Sequence, residues 1–141
     1  MSESIDLEDF FTEENEKNGM WHEPVIDGTP CGLEFLIIGI HTDEAAKNME
    51  FYDGLIDEVQ NNKNISEADR DKKLSEIDAA RVASSTKGMR AKNGATLRKD
   101  GKEVEFSEEL VKEFYFNTPI IKMDNIEFAL KTSNFMKRKS C

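Results

Sequence analysis

The sequence predicts an α+β domain that is predominantly helical, with one or two β-hairpins packed on about four α-helices. The hairpins are predicted by turn residues at 27–30 and at 100–101, which each stand between stretches that favour strands. The helices are predicted by segments that open with a capping hydroxyl and then repeat apolar residues at spacings of three and four. We expect an acidic flexible leader over residues 1–18, one globular domain over 19–136 and a basic tail over 137–141.

The first hairpin is expected in the N-terminal third. Residues 21–26 have an extended pattern, residues 27–30 have the turn chemistry Asp-Gly-Thr-Pro, and residues 31–40 form a strand rich in Ile, Leu and Phe. A lone hairpin is only marginally stable, so its apolar face needs a helix or further strands against it.

The first two helices are marked by their caps. Thr42 caps the first helix, whose inner face repeats apolar residues at spacings of four, three, four and three. These residues are Ala45, Met49, Tyr52, Ile56 and Val59. Gly54 inside this helix predicts close packing against another element. Ser66 and Asp69 resemble a capping box, and the second helix is expected to stop at Gly88. Its thin apolar content indicates either a surface helix or a narrow buried stripe.

The second hairpin is expected at Asp100-Gly101. This pair favours a type I′ turn, because both central positions of that turn require positive φ. The turn would join residues 95–97 to residues 103–106. This hairpin is the natural candidate to join the first one or to pack near it.

Two further helices follow the second hairpin. Ser107 supplies an N-cap oxygen for the third helix, and two glutamates place negative charge in its first turn. Thr118 is expected to cap the fourth helix, with Pro119 at its first position. The apolar residues of that last helix recur as Met123, Ile126 and Leu130.

The composition favours a folded acidic protein. The chain has 141 residues and a formal net charge of −10, and its nine phenylalanines argue against disorder. The charge argues against an unselective nucleic-acid binder or a polybasic membrane-surface protein, because both need clustered Lys and Arg. The longest apolar run, residues 35–40, is too short to span a bilayer, and the start has no secretory pattern. Cys31 and Cys141 form no disulfide framework, so we expect a reducing, intracellular environment.

Charge is concentrated at the two ends. The first sixteen residues hold seven carboxylates and no cation, whereas the chain from Lys131 onward holds four cations and no anion. Each end is expected to be a solvated, mobile segment or a docking tail for an oppositely charged partner. Phe10 and Phe11 in the leader are interpreted either as an anchor onto the domain or as a partner site.

The residues that catalysis would need are poorly represented. His22 and His41 have no Cys, His or carboxylate at metal-ligand spacing, so a structural or solvated role is expected for each. Neither Cys31 nor Cys141 stands in the setting of a thiol nucleophile. Phosphate-loop, dinucleotide-binding and Ser-nucleophile motifs are absent from the sequence. The sequence therefore predicts a protein that is not an enzyme and has no cofactor or metal.

Aromatic and methionine residues of the C-terminal third are the candidates for a functional surface. They are too many to face one small core if their helices are amphipathic. The candidate partner contacts are Phe114, Tyr115, Phe116, Phe128, Phe135 and Met136. Two interpretations remain open: helices buried on most sides, or an exposed apolar patch for another subunit or an extended client.

Three ordered blocks carry a family resemblance. Residues 27–43 contain a turn, an apolar strand and a capped helix start, with His-Thr-Asp where the family has Asp-Ser. Residues 82–89 form a helix end with methionine where the family commonly has tryptophan. Residues 100–135 join the Asp-Gly turn, a Phe-Ser cap and a closing Asn-Phe. Together these blocks resemble the tail assembly chaperones, also called minor tail proteins, of long-tailed bacteriophages, over roughly residues 24–136.

The resemblance implies a non-enzymatic assembly factor in the host cell cytoplasm. Such chaperones coat the long, largely helical tape-measure protein before the tail tube polymerises, and they help to recruit tail tube protein. They are absent from the finished virion. In many relatives a programmed frameshift near the end of the reading frame adds a domain that contacts the tube protein.

Two other functions remain as alternatives. One is a virion structural component, such as a head–tail connector or a tail-completion subunit. The other is a small regulatory adaptor that binds a host protein. Self-association is compatible with each of these functions.

Overall fold

A three-stranded antiparallel sheet packed against helices organises the fold. The computed structural model describes residues 4–136. Its α-helices are α1 (Glu13–Asn18), α2 (Asp43–Asn61), α3 (Glu67–Ser84), α4 (Glu108–Asn117) and α5 (Pro119–Leu130). Its strands are β1 (Met20–His22), β2 (Val25–Ile26), β3 (Thr29–Pro30), β4 (Leu33–Ile37), β5 (Thr86–Ala91), β6 (Arg98–Lys99) and β7 (Lys102–Glu103). The predicted α+β, predominantly helical class is confirmed. Among residues 4–136, no helix combines the length and the apolar character needed to cross a membrane.

The central sheet has the strand order β1-β4-β5, and both of its strand pairs are antiparallel. Phe35 in β4 lies between His22 of β1 and Met89 of β5. Because side chains alternate along a strand, Phe35 and Ile37 point to the same face, and both are buried. The core around them is completed by Ala79, Ala83, Val111, Tyr115, Phe128 and Phe135.

Strand β5 lies where the sequence pattern predicted the end of a helix. Helix α3 ends at Ser84 and does not reach Gly88. Gly88 is buried in β5, where an added Cβ would lie 2.8 Å from Cη2 of Trp21 and 3.2 Å from Cβ of Leu36. This glycine therefore permits the close approach of a neighbouring aromatic ring.

Two tight turns have positive φ at both central residues. Asp27 and Gly28 have φ values of 51° and 80°, and Asp100 and Gly101 have values of 54° and 77°. The type I′ turn expected at the second pair is confirmed, since only this turn type places both residues there. The hairpin around it, β6–β7, forms its own two-stranded sheet and does not join the central one.

Three of the four expected helix caps are present. Thr42, Ser66 and Ser107 each accept a hydrogen bond from the backbone N–H three residues later, at 3.0–3.1 Å. Thr118 behaves differently, because its hydroxyl donates to the carbonyl oxygen of Phe114 at 2.5 Å. Its side chain therefore closes α4 and does not cap α5.

Helix α3 lies between α2 and α4 and buries a narrow stripe of small residues. Ala79 and Ala83 are fully buried, which lets the neighbouring elements approach α3 closely. The sequence had indicated either a surface helix or a narrow buried stripe, and the narrow buried stripe is confirmed. The close packing expected at Gly54 in α2 is wrong: among the described residues, nothing outside its own helix lies within 4 Å of its Cβ position.

The second half of the acidic leader is part of the packed structure. Asn15 Nδ2 donates to the carbonyl oxygen of Phe135 at 2.8 Å, and the backbone N–H of Gly39 donates to the carbonyl oxygen of Glu16 at 2.8 Å. Phe10 and Phe11 are exposed, so the interpretation of this pair as an anchor onto the domain is wrong. The basic tail at 137–141 lies outside the described residues.

Candidate functional site

An apolar groove of about 220 Å³ opens between α2 and α5. One wall comes from α2 and the segment before it, and the other comes from α5. The walls are lined by Ile38, Ile40, Ala45, Met49, Ile126, Ala129 and Leu130. Arg81 and Val82 of α3, Ser85, Thr86 of β5 and Asn125 of α5 complete the lining, and Thr86 and Asn125 are buried. We call this feature the α2–α5 groove.

The first wall is held by the short connection between β4 and α2. Ile38 donates its N–H to the carbonyl oxygen of Ser85 at 3.1 Å, which ties this segment to the end of α3. The Thr42 hydroxyl donates to the carbonyl oxygen of Gly39 at 3.1 Å and also caps α2. With its backbone held in this way, the connection presents Ile38 and Ile40 to the groove.

The second wall contains Ile126 and Leu130, two residues of the apolar stripe that the sequence assigned to the last helix. Met123, Ile126 and Leu130 share one face of α5, because they are separated by three and four positions. Met123 is 57% exposed and Leu130 is 51% exposed, so this stripe is not the inner face of the helix. The buried face of α5 instead contains Asn125 and Phe128. The stripe is therefore available to another molecule.

A buried polar chain runs beneath the groove. The Thr86 hydroxyl donates to the carbonyl oxygen of Val82 at 3.1 Å and lies 2.8 Å from the Tyr115 hydroxyl. Asn125 Nδ2 donates to the same tyrosine oxygen at 2.8 Å. Burial raises the pKa of Tyr115 to about 12, although hydrogen bonds with Thr86 and Asn125 by themselves would lower it. Tyr115 is therefore held neutral in the core.

The polar chain leaves one acceptor at the base of the groove without a protein partner. Asn125 is 1% exposed, and its Oδ1 has no hydrogen-bond partner among residues 4–136. Buried polar atoms are nearly always paired in folded proteins. The atom has almost no accessible surface, so it is an unpaired acceptor inside the core among the described residues.

Helix α2 is acidic, but the residues that it contributes to the groove lining, Ala45 and Met49, are uncharged. Helix α2 carries six carboxylates and one lysine. Two of these carboxylates are paired across to other elements: Glu44 with Lys87 at 2.5 Å and Asp53 with Arg81 at 3.3 Å. The charged residue that the groove lining does contain is Arg81, which pairs with Asp53.

An ion pair joins α3 to α5 near the groove. Asp78 Oδ2 accepts a hydrogen bond from Lys122 Nζ, and its Oδ1 accepts one from Arg81 Nη2 at 2.6 Å. Partial burial would raise the pKa of Asp78, but the bonds from Lys122 and Arg81 outweigh burial and lower it. The folded state therefore stabilises the ionised carboxylate.

We expect Asp78→Asn to lower the free energy of unfolding near pH 7 by roughly 1 kcal/mol, the upper range for a partly exposed pair. Because the folded pKa lies below the ordinary value of 3.8, this contribution is present above about pH 4 and is lost as the pH falls through the folded pKa. Urea titrations at several pH values between 7 and 3 measure it. Asp71→Asn, at an exposed position of the same helix, is the control. A deficit that stays constant down to pH 3 would contradict the assignment.

A second cavity of about 250 Å³ lies between the β6–β7 hairpin and α4. Phe114, Leu97 and Val104 contribute apolar surface to it. Lys99 in β6 pairs with Glu113 in α4 at 2.5 Å, which holds the hairpin over the helix. Charged residues of the hairpin and of α4, including Lys99 and Glu113, also line this cavity.

The structure divides the predicted contact residues into core and surface. Tyr115, Phe128 and Phe135 are buried in the core and do not contribute to the exposed surface of the fold. Phe114 and Met136 are half-buried, and Phe116 is exposed. The sequence analysis missed the groove residues because it noted the regular spacing of the stripe on α5 without assigning the stripe to the core or to the surface. The spacing identifies the apolar face, but it does not say whether that face is exposed.

His22 has the structural role that the sequence indicated. Its ring stacks on Phe128 with centroids 4.3 Å apart, and its Nε2 forms a hydrogen bond with Asp124 Oδ1. These contacts tie β1 to α5 on the side of the helix away from the groove. His41 is exposed.

Comparison of the chain with family models, with curated proteins and with solved structures found no match in any of the three.

Proposed function

We propose that this chain is a phage tail assembly chaperone that binds and solubilises the tape-measure protein and assists tail-tube assembly without catalysis. The observation that supports the proposal most directly is the α2–α5 groove with its exposed apolar stripe. The resemblance of the three sequence blocks to that family supports it independently. On this proposal the protein acts in the host cytoplasm, also contacts the tail tube protein, and is absent from the mature virion.

The groove suits a helical client. An amphipathic helix can lay its apolar face into a groove and contact it through residues three, four and seven positions apart. Met49, which lines the groove, has a flexible, unbranched side chain that adapts to different client surfaces. The net charge of −10 keeps a protein with exposed apolar residues in solution. Binding of this kind needs no covalent step.

Co-expression with a tape-measure protein from the same genome tests the proposal. We expect the full chain to raise the soluble fraction of the tape-measure protein, and we expect Leu130→Glu to weaken their binding by about 10-fold or more, as loss of a central apolar contact does. Ile120→Glu is the matched control, because Ile120 is an exposed apolar residue of the same helix that does not line the groove. Equal loss in both variants, or no solubilisation, would contradict the proposal.

The protein composition of purified phage particles distinguishes a chaperone from a virion structural component. A chaperone should be missing from purified particles, whereas a connector or tail-completion subunit should be present in a ring-sized number. Quantitative mass spectrometry of the phage measures this. A constant, ring-sized copy number would favour the alternative.

A further inference from the structure

The acidic leader carries exposed apolar residues that do not line the α2–α5 groove. Ile5, Leu7, Phe10 and Phe11 are 48–70% exposed. Large apolar side chains that are grouped on a protein surface are typical of sites that contact another molecule. Since Phe10 and Phe11 do not anchor the leader to the domain, the interpretation of this pair as a partner site is the one that remains.

Phe10 and Phe11 line one open depression together with acidic residues. The depression has a volume of about 1170 Å³, and three carboxylates and one cation, Lys17, also line it. The three carboxylates are those of Glu8, Glu13 and Glu14. None of the three takes part in an ion pair among residues 4–136, so their charge is not neutralised there. We call the two phenylalanines and the three glutamates the leader surface.

Helix α1, which carries part of the leader surface, is fixed to the domain. Asn15 Nδ2 donates to the carbonyl oxygen of Phe135 at 2.8 Å, and the N–H of Gly39 donates to the carbonyl oxygen of Glu16 at 2.8 Å. These bonds hold α1 against elements from the middle and the end of the chain. A surface that is already in place loses less conformational freedom when a partner binds, which favours binding.

The size and the charge of the leader surface indicate the class of its partner. The volume of about 1170 Å³ is above the roughly 300–1,000 Å³ of small-molecule sites, so the depression can take several side chains of a polypeptide. Nucleic acids and anionic membranes are repelled by carboxylates that no cation neutralises. A protein segment that carries lysine or arginine is attracted, and its apolar residues can cover the two phenylalanines.

We propose that the leader surface binds a basic amphipathic segment of a partner protein. The apolar side chains of that segment cover Phe10 and Phe11, and its lysines or arginines pair with Glu8, Glu13 and Glu14. The leader surface shares no residue with the lining of the α2–α5 groove. The inference therefore goes beyond the proposed function and does not depend on it.

Three synthetic peptides test the chemistry of the partner on the full chain. The first is a fluorescein-labelled amphipathic peptide of leucine and lysine, the second has serine in place of every leucine, and the third has glutamate in place of every lysine. Fluorescence anisotropy measures their dissociation constants. We expect the leucine–lysine peptide to bind at least about 10-fold tighter than either of the others, because apolar contact and charge both contribute. Equal binding of the serine peptide would overturn the apolar contact, and equal binding of the glutamate peptide would overturn the basic partner.

A matched pair of phenylalanine variants tests whether the peptide binds at the leader. Phe11→Ala should weaken the leucine–lysine peptide by about 5-fold, as loss of an apolar contact in an interface does. Phe51→Ala is the control, because Phe51 is exposed to a similar extent, 62% against 66%, and lies on the acidic helix α2. Both side chains are exposed, so both variants should fold. Equal affinities of the two variants would overturn the assignment to the leader.

A matched pair of charge variants separates a defined site from attraction by the net charge of −10. Glu13→Gln combined with Glu14→Gln should weaken the leucine–lysine peptide by about 3-fold, the size expected for the loss of two exposed ion pairs. Asp57→Asn combined with Glu58→Gln removes the same charge from exposed positions of α2 and should have less effect. Equal losses in the two double variants would show attraction by net charge alone and would overturn the inference.

A groove variant separates this inference from the proposed function. Leu130→Glu, which changes the α2–α5 groove, should leave the affinity for the leucine–lysine peptide unchanged. Loss of peptide binding in Leu130→Glu but not in Phe11→Ala would place the peptide in the groove, which would overturn this inference and leave the proposed function standing. Failure to solubilise the tape-measure protein, together with peptide binding that Phe11→Ala weakens, would overturn only the proposed function.

Discussion

Replacing Phe35 with alanine should lower the free energy of unfolding by about 3–5 kcal/mol, the range found when a buried phenylalanine is truncated. Phe35 is fully buried at the centre of β4, and its ring centroid lies 5.8 Å from that of Tyr115 and 6.0 Å from that of Phe114. The variant removes these contacts and leaves a cavity between the sheet and α4. Because small domains are stable by only about 5–15 kcal/mol, this loss is a large fraction of the total.

Phe51→Ala is the matched control for this prediction. Phe51 lies on α2 and is 62% exposed, so its truncation should change the free energy of unfolding by no more than about 0.5 kcal/mol. Urea titration followed by circular dichroism measures both variants, with the slope of the transition checked for two-state behaviour. Similar losses in the two variants would show that the core is not centred on Phe35.

Tyr115→Phe should lower the free energy of unfolding by about 1–3 kcal/mol, although it removes a single oxygen atom. That oxygen lies 2.8 Å from Thr86 Oγ1 and 2.8 Å from Asn125 Nδ2, and all three side chains are buried. Loss of the hydroxyl leaves the Asn125 amide nitrogen without its acceptor inside the core. An unpaired buried donor loses its hydration and gains no protein partner in return.

The other tyrosine of the chain provides the control. Tyr52 is half-buried on α2, and Tyr52→Phe should cost no more than about 0.5 kcal/mol. The raised pKa gives a second measurement: the contribution of neutral Tyr115 is present below pH 10 and is lost as the pH rises toward about 12. Burial also raises the pKa of Tyr52, so this alkaline loss should become smaller in Tyr115→Phe than in Tyr52→Phe without disappearing. An equal alkaline loss in the two variants would contradict the assignment to Tyr115.

Local features of the fold could be predicted because they depend on neighbouring residues. The caps at Thr42, Ser66 and Ser107 involve a side chain and an N–H three residues away. The turn at Asp100-Gly101 depends on two residues that tolerate positive φ. Because the interacting residues are only a few positions apart, a short stretch of sequence is enough to predict these features.

Strand β5 was missed because its role depends on distant partners. A Thr-Lys-Gly sequence after a helix has the local appearance of a helix end. Its identity as a strand comes from pairing with β4, some fifty residues earlier, and from the ring of Trp21 above Gly88. Pairing stabilises β5 through contacts with residues that are distant in sequence, so a short stretch of sequence does not reveal the strand.

The candidate site could not be predicted from the spacing of apolar residues either. The spacing of Met123, Ile126 and Leu130 correctly predicts one apolar face, but periodicity does not say whether that face meets the core or solvent. Helix α5 carries apolar residues on more than one side, and hydrogen bonding of Asn125 to Tyr115 orients it. The face with the regular spacing was therefore left open beside α2.

The sequence by itself determined the α+β class, the caps of three helices, the tight turn at 100–101 and the acidic character of the chain, because each depends on composition or on residues close together along the chain. The tertiary structure alone decided which aromatic residues are buried, which strand completes the sheet and which face of α5 lines the groove. These features depend on contacts between residues far apart in sequence, and burial of one face leaves another exposed.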